Sequence, residues 1–140
     1  MEAGRVMLRR LRELASRQSS FAFETTLATR TYAPWLRELR EGGYQVNLLF
    51  IWLDSAELAI QRVRARVAPG GHDIPETTIR RRYQSGIRNF FTLYRPLADS
   101  WGIYDNSISG MPQLIARGSA EKEEKVTRQK RWNVFYEAGQ

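Results

Sequence analysis

The stretch VNLLFIWL, residues 46–53, decides the fold class. It is an apolar run of strand length, and such runs are typical of central parallel strands that are covered on both faces. Predicted helices flank it, one from Thr31 to Glu41 that stops at Gly42 and Gly43, and one from Asp54 to about Val67. Strands that alternate with helices indicate βαβ units and a mostly parallel sheet.

The same patterns assign the other segments. Helices are predicted at about residues 4–16, 75–99 and 119–139, and strands at residues 19–25, 101–106 and 113–118. Within the long helix, a core stripe is formed by Ile79, Tyr83, Ile87, Phe90 and Tyr94. Ligands of such sheets bind beyond the carboxyl ends of the strands. The segments at those ends are residues 24–26, 54–55 and 105–107.

Composition narrows the function classes. A chain of 140 residues corresponds to one domain. It has no cysteine and a single histidine, which excludes disulfides, thiolate metal sites and multi-histidine metal sites, and no metal site is predicted. Because the start lacks an apolar run of signal-peptide length and nothing approaches a membrane span, a cytoplasmic protein without membrane contact is expected. The net charge of +7 comes mostly from arginine and favours an anionic partner.

The segment PGGHDIPETTIRRRY, residues 69–83, combines a glycine turn with a basic helix start. Arg66 ends the helix before the turn, and Arg80 and Arg82 lie just after it. Two helix ends that carry arginines around a Gly-Gly hinge form a candidate lid, whose arginines can neutralise charge on a transferring phosphoryl group. His72 is expected to order this loop by hydrogen bonding and to contact a phosphate.

Four segments together resemble the zeta-toxin family of P-loop kinases, over roughly residues 3–117. They are FETT (23–26), VNLLFIWL (46–53), RVRARVAPGGHDIPETTIRRRY (62–83) and YDNS (104–107). The block GGHDIP followed by IRRR is the most specific part. The resemblance implies a three-layer P-loop NTPase-like α/β fold and phosphorylation of a small molecule with ATP and Mg²⁺. The best-known members of the family phosphorylate UDP-N-acetylglucosamine.

The resemblance also implies roles for individual residues. The acceptor-substrate site would contain Glu24, Thr26 and Arg30. The residues that would contact ATP phosphates are Arg66 and one of Arg80 or Arg82. The residues near the nucleotide base would be Asp105 and Asn106. Without the resemblance, Glu24 could be an ordinary exposed carboxylate and Asp105-Asn106-Ser107 a simple turn. The implied partners are a nucleotide or nucleotide sugar and an antitoxin protein.

The sequence departs from the family at its most important motif. A P-loop requires G-x-x-x-x-G-K-[ST], but no Gly-Lys pair occurs, and all three lysines follow Arg117. The chain therefore resembles an N-terminally truncated kinase, with a core fragment at residues 1–118 and a charged helix at 119–140 that docks on it. Without the phosphate cradle it is expected to be inactive alone. The missing first strand is expected to expose a sheet edge and to promote self-association or pairing with a separate N-terminal fragment.

A nonenzymatic basic module that binds nucleic acid is the alternative. Its positive charge would come from Arg9, Arg10 and Arg12, from the run 80–82 and from the tail around 128–131. Such binding would be steeply salt-dependent because it would rest on phosphate contacts. No nucleic-acid-binding motif is present, and the aromatic residues have the spacing of core residues. The kinase interpretation is therefore favoured over the nucleic-acid one.

Overall fold

A computed structural model describes residues 2–67, 73–119 and 124–140. In these ranges the α-helices are α1 (Glu2–Ser16), α2 (Tyr32–Glu41), α3 (Ala56–Arg66), α4 (Glu76–Asn89) and α5 (Gln129–Ala138). The strands are β1 (Asn47–Trp52), β2 (Ser100–Asp105), β3 (Gln113–Ser119) and β4 (Glu124–Val126). After α4 the chain continues as a π-helical turn (Phe90–Tyr94) and a 3₁₀ turn (Arg95–Leu97).

The four strands form one mixed sheet in the order β1-β2-β3-β4. Only β1 and β2 are parallel, while β2–β3 and β3–β4 are antiparallel. The predicted α/β class is confirmed, but the prediction of a mostly parallel sheet is wrong. Residues 106–112 between β2 and β3 are too few for the crossover that a parallel pair requires, so β3 has to return antiparallel.

The two faces of β1 differ in their surroundings. Leu48, Phe50 and Trp52 face the main core, whereas Leu49 and Ile51 point the other way and are 67% and 55% exposed. The expected second helical layer therefore does not cover this part of the sheet in the described residues. The central, doubly covered strand expected for residues 46–53 is an edge strand with one covered face.

The core stripe predicted on the long helix is confirmed, on α4 and on the π-helical turn that follows it. Ile79, Ile87, Phe90 and Tyr94 are buried, and Tyr83 is half-buried. The Phe90 ring meets rings from β1 and α5 edge-on, with centroids 5.4 Å from Phe50 and 5.6 Å from Phe135. Such contacts add to the stabilisation that burial of these rings supplies. They fix α4 and α5 together on the covered face of the sheet.

Two element predictions are wrong. Residues 19–25 form irregular chain rather than a strand, because Phe21 and Phe23 pack against Trp35 of α2 instead of pairing with the sheet. The tail is not one helix, since β4 precedes α5. Among the helices of the described residues, none combines the length and the apolar character that a membrane span needs.

Candidate ligand-binding site

Helices α3 and α4 form an antiparallel hairpin that leaves the sheet at the carboxyl end of β1. Ser55 caps α3 by accepting a hydrogen bond from the Leu58 N–H at 3.1 Å, so the helix starts directly after the strand. Two ion pairs join the helices, Glu57 with Arg80 at 2.5 Å and Arg64 with Glu76. Glu57 lies in the first turn of α3 and Arg64 in its last turn, so the two pairs join the helices at both ends of α3.

The predicted lid arginines lie in three different places on this hairpin. Arg66 is exposed at the end of α3 that is farthest from the sheet. Arg80 and Arg82 are two residues apart, which is about 200° around an α-helix, so they project from opposite sides of α4. Arg80 is hydrogen-bonded to Glu57, and this bond raises the pKa of Arg80 and lowers that of Glu57. Arg82 is exposed and forms no ion pair within the described residues.

The FETT segment lies against the same side of α4 as Arg82. A Cβ atom added at Gly86 would come within 2.4 Å of the Thr26 carbonyl oxygen, so only glycine permits this approach. Asn89, which is buried, donates to the carbonyls of Leu27 at 2.8 Å and Ala28 at 3.2 Å. These contacts hold the end of the FETT segment one helical turn beyond Arg82, because Gly86 follows Arg82 by four residues.

The order of these contacts also gives the direction of the segment. Thr26 meets Gly86, Leu27 meets Asn89, and the Thr29 carbonyl accepts from the Tyr94 hydroxyl at 2.5 Å. The segment thus runs parallel to α4. Its earlier residues lead toward the N-terminal half of α4 and its later residues lead away from it.

This direction separates the three predicted acceptor residues. Glu24 and Thr26 are exposed on the part of the segment that leads toward Arg82, and the Thr26 hydroxyl accepts from the Ala28 N–H at 3.3 Å. Arg30 follows the contact with Tyr94, which is twelve residues or about 18 Å of helix beyond Arg82. The contacts therefore hold Thr26 one helical turn from Arg82 and leave Arg30 at the other end of the segment, while Glu24 is exposed two residues before Thr26.

A second polar cluster lies at the carboxyl ends of β1 and β2. Arg131 of α5 donates to Asp105 at 2.7 Å and to Asp54 at 3.1 Å, and its guanidinium lies 5.0 Å from the centre of a Trp52 ring. The other oxygen of Asp105 accepts from the backbone N–H of Ser107 at 3.0 Å and from its hydroxyl at 2.5 Å. Both carboxylate oxygens of Asp105 are thus occupied by the protein itself.

The ionisation of this cluster follows from its contacts. Burial on its own raises the pKa of Asp105, but the hydrogen bonds from Ser107 and Arg131 outweigh it, so the pKa is lowered. Burial opposes the charge of Arg131, yet hydrogen bonds to Asp54 and Asp105 raise its pKa. Both groups are therefore charged at neutral pH. The cluster ties the C-terminal helix to the strand ends.

Asn106 differs from Asp105 in its environment. Its backbone N–H donates to the Trp52 carbonyl at 2.8 Å and extends the β1–β2 ladder by one residue. Its Oδ1 atom is buried and accepts no hydrogen bond within the described residues. Of the two predicted base-contacting residues, Asp105 thus has both side-chain oxygens bound, whereas the side-chain oxygen of Asn106 is unpaired but enclosed.

Two predicted features lie outside the described residues, namely His72 and the Gly70–Gly71 hinge. In the part of the chain that is described, no group of three or more His, Cys, Asp or Glu side chains could hold a metal ion. The described residues therefore do not fit an Mg²⁺ site by themselves, and Arg66 and Arg82 are exposed.

Two structurally important residues were missed by the sequence interpretation. Arg131 was counted only as part of a basic tail, and no local pattern links it to Asp105, 26 positions away. Asn89 was missed although a signal exists, since it is a polar residue adjacent to the apolar stripe of α4 and is only 7% exposed. A buried amide usually indicates backbone groups that need hydrogen bonds, and here those groups belong to the FETT segment.

Comparisons with known proteins agree with the segments that carry the resemblance. The family model described as Zeta toxin matches residues 1–109. A curated protein of Haemophilus influenzae (strain ATCC 51907 / DSM 11121 / KW20 / Rd), described as an uncharacterized protein, is 29% identical over 83 residues. The matched part covers 59% of this chain and 59% of that protein, which is less than two thirds of its length. No solved structure matches the chain.

Proposed function

Because the chain belongs to the zeta-toxin family, we propose that it carries the acceptor-binding and lid part of an ATP-dependent small-molecule kinase. The acceptor belongs to the class of phosphorylated sugars, such as a nucleotide sugar. One observation carries the proposal, which is the close approach of Thr26 to Gly86 of α4. It supports a common site for the end of the FETT segment and for Arg82.

The chemistry of these residues suits such an acceptor. The Glu24 carboxylate accepts hydrogen bonds from sugar hydroxyls, and the Arg82 guanidinium donates to phosphate oxygens. Arg66, at the outer end of the hairpin, adds positive charge that stabilises a transferring phosphoryl group. Arg80 contributes indirectly, since its bond to Glu57 fixes α3 against α4. Asn106, directly after β2, is a residue that the family resemblance assigns to the nucleotide base, and its Oδ1 atom is enclosed in the present arrangement.

Phosphoryl transfer needs more than these 140 residues contain. The sequence has no Gly-Lys pair, so the P-loop of an active enzyme has to come from polypeptide outside this sequence. ATP and Mg²⁺ are the cofactors that family membership supports, and an antitoxin protein is the partner it supports. Since the described residues do not form a magnesium site, no step through the metal is derived from them. For this chain alone we expect ligand binding rather than turnover.

Calorimetric titration tests the proposal. UDP-N-acetylglucosamine and ATP are titrated to millimolar concentration against the wild-type chain and against Glu24→Gln, Arg82→Gln and Arg81→Gln. We expect weak binding of at least one ligand, which weakens by about tenfold or more in the first two variants because each removes a hydrogen bond to a charged group. Arg81→Gln is the matched control, since it removes the same charge from an exposed neighbouring position.

Two results would contradict the proposal. One is the absence of heat for both ligands at millimolar concentration. The other is an equal loss of affinity in Arg82→Gln and Arg81→Gln, which would mean that only the net charge of α4 matters. Thermal unfolding of each variant shows that a loss of binding is not a loss of folding.

A nucleic-acid-binding function is favoured by a different observation. Arg5, Arg9 and Arg12 line one groove along α1, with a volume of about 520 Å³. If these three arginines contact three phosphates of a single strand, a plot of the logarithm of the binding constant against the logarithm of the salt concentration should have a slope of about −2. A gel shift that stays negative at low salt would eliminate this function.

A further inference from the structure

Strand β1 has an unpaired edge. Within the described residues, the backbone of Asn47–Trp52 hydrogen bonds to β2 and to Asn106 directly after β2, and to no other segment. On the uncovered face of the sheet, the same strand exposes Leu49 and Ile51. The free edge and the exposed side chains lie next to each other, so one partner can cover both.

This edge lacks the features that usually prevent pairing. Natural edge strands are protected by charged residues, prolines, bulges or very short length. Residues 46–53 contain no charge, no proline and no glycine, although charged residues make up 26% of the chain. The irregularity in the sheet lies between Ile103 and Tyr104, on the side of β2 that faces β3. Nothing in β1 therefore opposes the addition of another strand.

Within Asn47–Trp52, one register makes the strand complementary to itself; Leu53 lies beyond the strand, and its carbonyl is already bound by the Tyr83 hydroxyl. Along a strand, the N–H and C=O groups of every second residue point toward the free edge. In an antiparallel pair of identical strands these residues have to face each other, so the two-fold axis passes between two copies of the same residue. An axis at Phe50 places Leu49 of each copy opposite Ile51 of the other copy on the exposed face, which gives two apolar pairs. An axis at Leu49 would instead place Asn47 opposite Ile51 and leave a polar group against an apolar one. The axis at Phe50 buries more apolar surface.

We propose that two copies of this chain associate through antiparallel pairing of their β1 strands, with the two-fold axis at Phe50. The product is one continuous sheet of eight described strands. Its uncovered face carries a groove of about 430 Å³ on each copy, lined by residues such as Leu49, Gly102 and Leu114. Across the axis, Leu49 of one copy and Ile51 of the other join the two apolar surfaces.

The charges set the conditions under which a second copy can bind. The seam itself is neutral, whereas each copy carries a net charge of +7. Repulsion between copies is therefore long-ranged, and salt screens it without breaking any ionic contact at the seam. A six-residue seam is also smaller than the roughly 800 Å² per partner of a standard stable interface. Both facts predict a dimer that depends on concentration and becomes tighter as salt increases, the opposite of nucleic-acid binding.

Sedimentation equilibrium tests the association. We expect the wild-type chain to form dimers with rising concentration, and the dimer to be favoured more at 500 mM than at 50 mM salt. Ile51→Lys should be monomeric, because each lysine would face an apolar residue across the seam and add charge to it. Met111→Lys is the matched control, since Met111 is also exposed (60%) but lies outside the sheet, and it should dimerise like the wild type.

A wild-type chain that stays monomeric at all concentrations would overturn the proposal, as would an Ile51→Lys variant that dimerises normally. Ile51 is exposed, so the lysine variant should fold, and equal circular dichroism spectra for both variants verify this.

Disulfide trapping tests the register independently, because the chain contains no cysteine. Directly opposed residues have Cα atoms about 4.5–5.5 Å apart, within disulfide range, whereas diagonal neighbours are about 7–8 Å apart. A mixture of Leu49→Cys and Ile51→Cys chains should therefore cross-link on oxidation, and either variant alone should not. Cross-linking of Leu49→Cys with itself, or no cross-linking in the mixture, would contradict the axis at Phe50.

Discussion

Substitution of Gly86 by alanine tests the contact that holds the FETT segment on α4. The new Cβ would lie 2.4 Å from the Thr26 carbonyl oxygen, and Cβ atoms essentially never approach other atoms closer than 3.0 Å. The segment and the helix would therefore have to separate by at least 0.6 Å. Both neighbours are backbone, so no flexible side chain can absorb the shift.

The expected change in stability has two opposing contributions. Overpacking at such a contact costs roughly 1–3 kcal/mol. Replacement of a helical glycine by alanine returns about 0.5–1 kcal/mol through reduced backbone entropy. Gly86→Ala should therefore lower the free energy of unfolding by roughly 0–2.5 kcal/mol relative to the wild type, and by roughly 1–3 kcal/mol relative to a helical Gly→Ala change without the clash. Urea denaturation followed by tryptophan fluorescence measures this change.

Gly4→Ala provides the matched control. Gly4 also lies in a helix, but nothing lies within 4 Å of the position that its Cβ would take. This variant should be as stable as the wild type or slightly more stable. If Gly86→Ala is as stable as Gly4→Ala, the FETT segment does not lie against α4, and a common site with Arg82 loses its structural basis.

Three further predictions concern the polar contacts. The pKa of Asp105 is lower in the folded chain than the unfolded value of about 3.9. Its stabilising contribution is therefore present above the unfolded pKa and is lost as pH falls through the folded pKa. For this reason the free energy of unfolding of Asp105→Asn should fall less steeply with decreasing pH than that of the wild type. Arg131→Gln should lower the free energy of unfolding by about 1.5–3 kcal/mol at pH 7, measured by urea denaturation, since it removes hydrogen bonds to two carboxylates. Asn89→Ala should lower the free energy of unfolding by about 1–3 kcal/mol in the same assay, because it leaves two carbonyls unpaired. This loss should exceed that of Tyr94→Phe, which removes one hydrogen bond, and equal losses of stability would contradict the ranking.

Two elements were predicted correctly because the side-chain pattern of each lies within one continuous segment. The apolar run at residues 46–53 predicted β1, and the three- and four-residue spacing from Ile79 to Tyr94 predicted the buried face of α4 and of the π-helical turn after it. In both cases the side chains that form the core lie within one continuous segment. Their periodicity is therefore visible without knowledge of any partner.

Features that depend on distant partners were not predicted. The direction of β3 follows from a short connection, and the location of β1 at the edge follows from which strands are present to pair with it. The aromatic residues around Phe23 suggested a strand, but tertiary packing on Trp35 decided otherwise. Arg131 and Asp105 meet only because α5 folds back over the strand ends.

The roles of the candidate-site residues stay predictions. Glu24, Thr26 and Arg82 were selected by motif, and the structure adds the contact with Gly86 that no motif contains. Arg80 and Arg82 were treated as equivalent, but the helical period separates them by more than half a turn. Asp105 was selected for the nucleotide base, which stays a prediction, and the structure adds that both of its oxygens are bound within the protein.

An NMR titration of the uniformly ¹⁵N-labelled chain with UDP-N-acetylglucosamine tests most directly whether the FETT segment and the Arg82 side of α4 form one site. We predict that amide signals of residues 23–28 and of residues 82–86 shift together, with one common dissociation constant. Shifts confined to α1, to the open face of the sheet, or to only one of the two segments would contradict a common site.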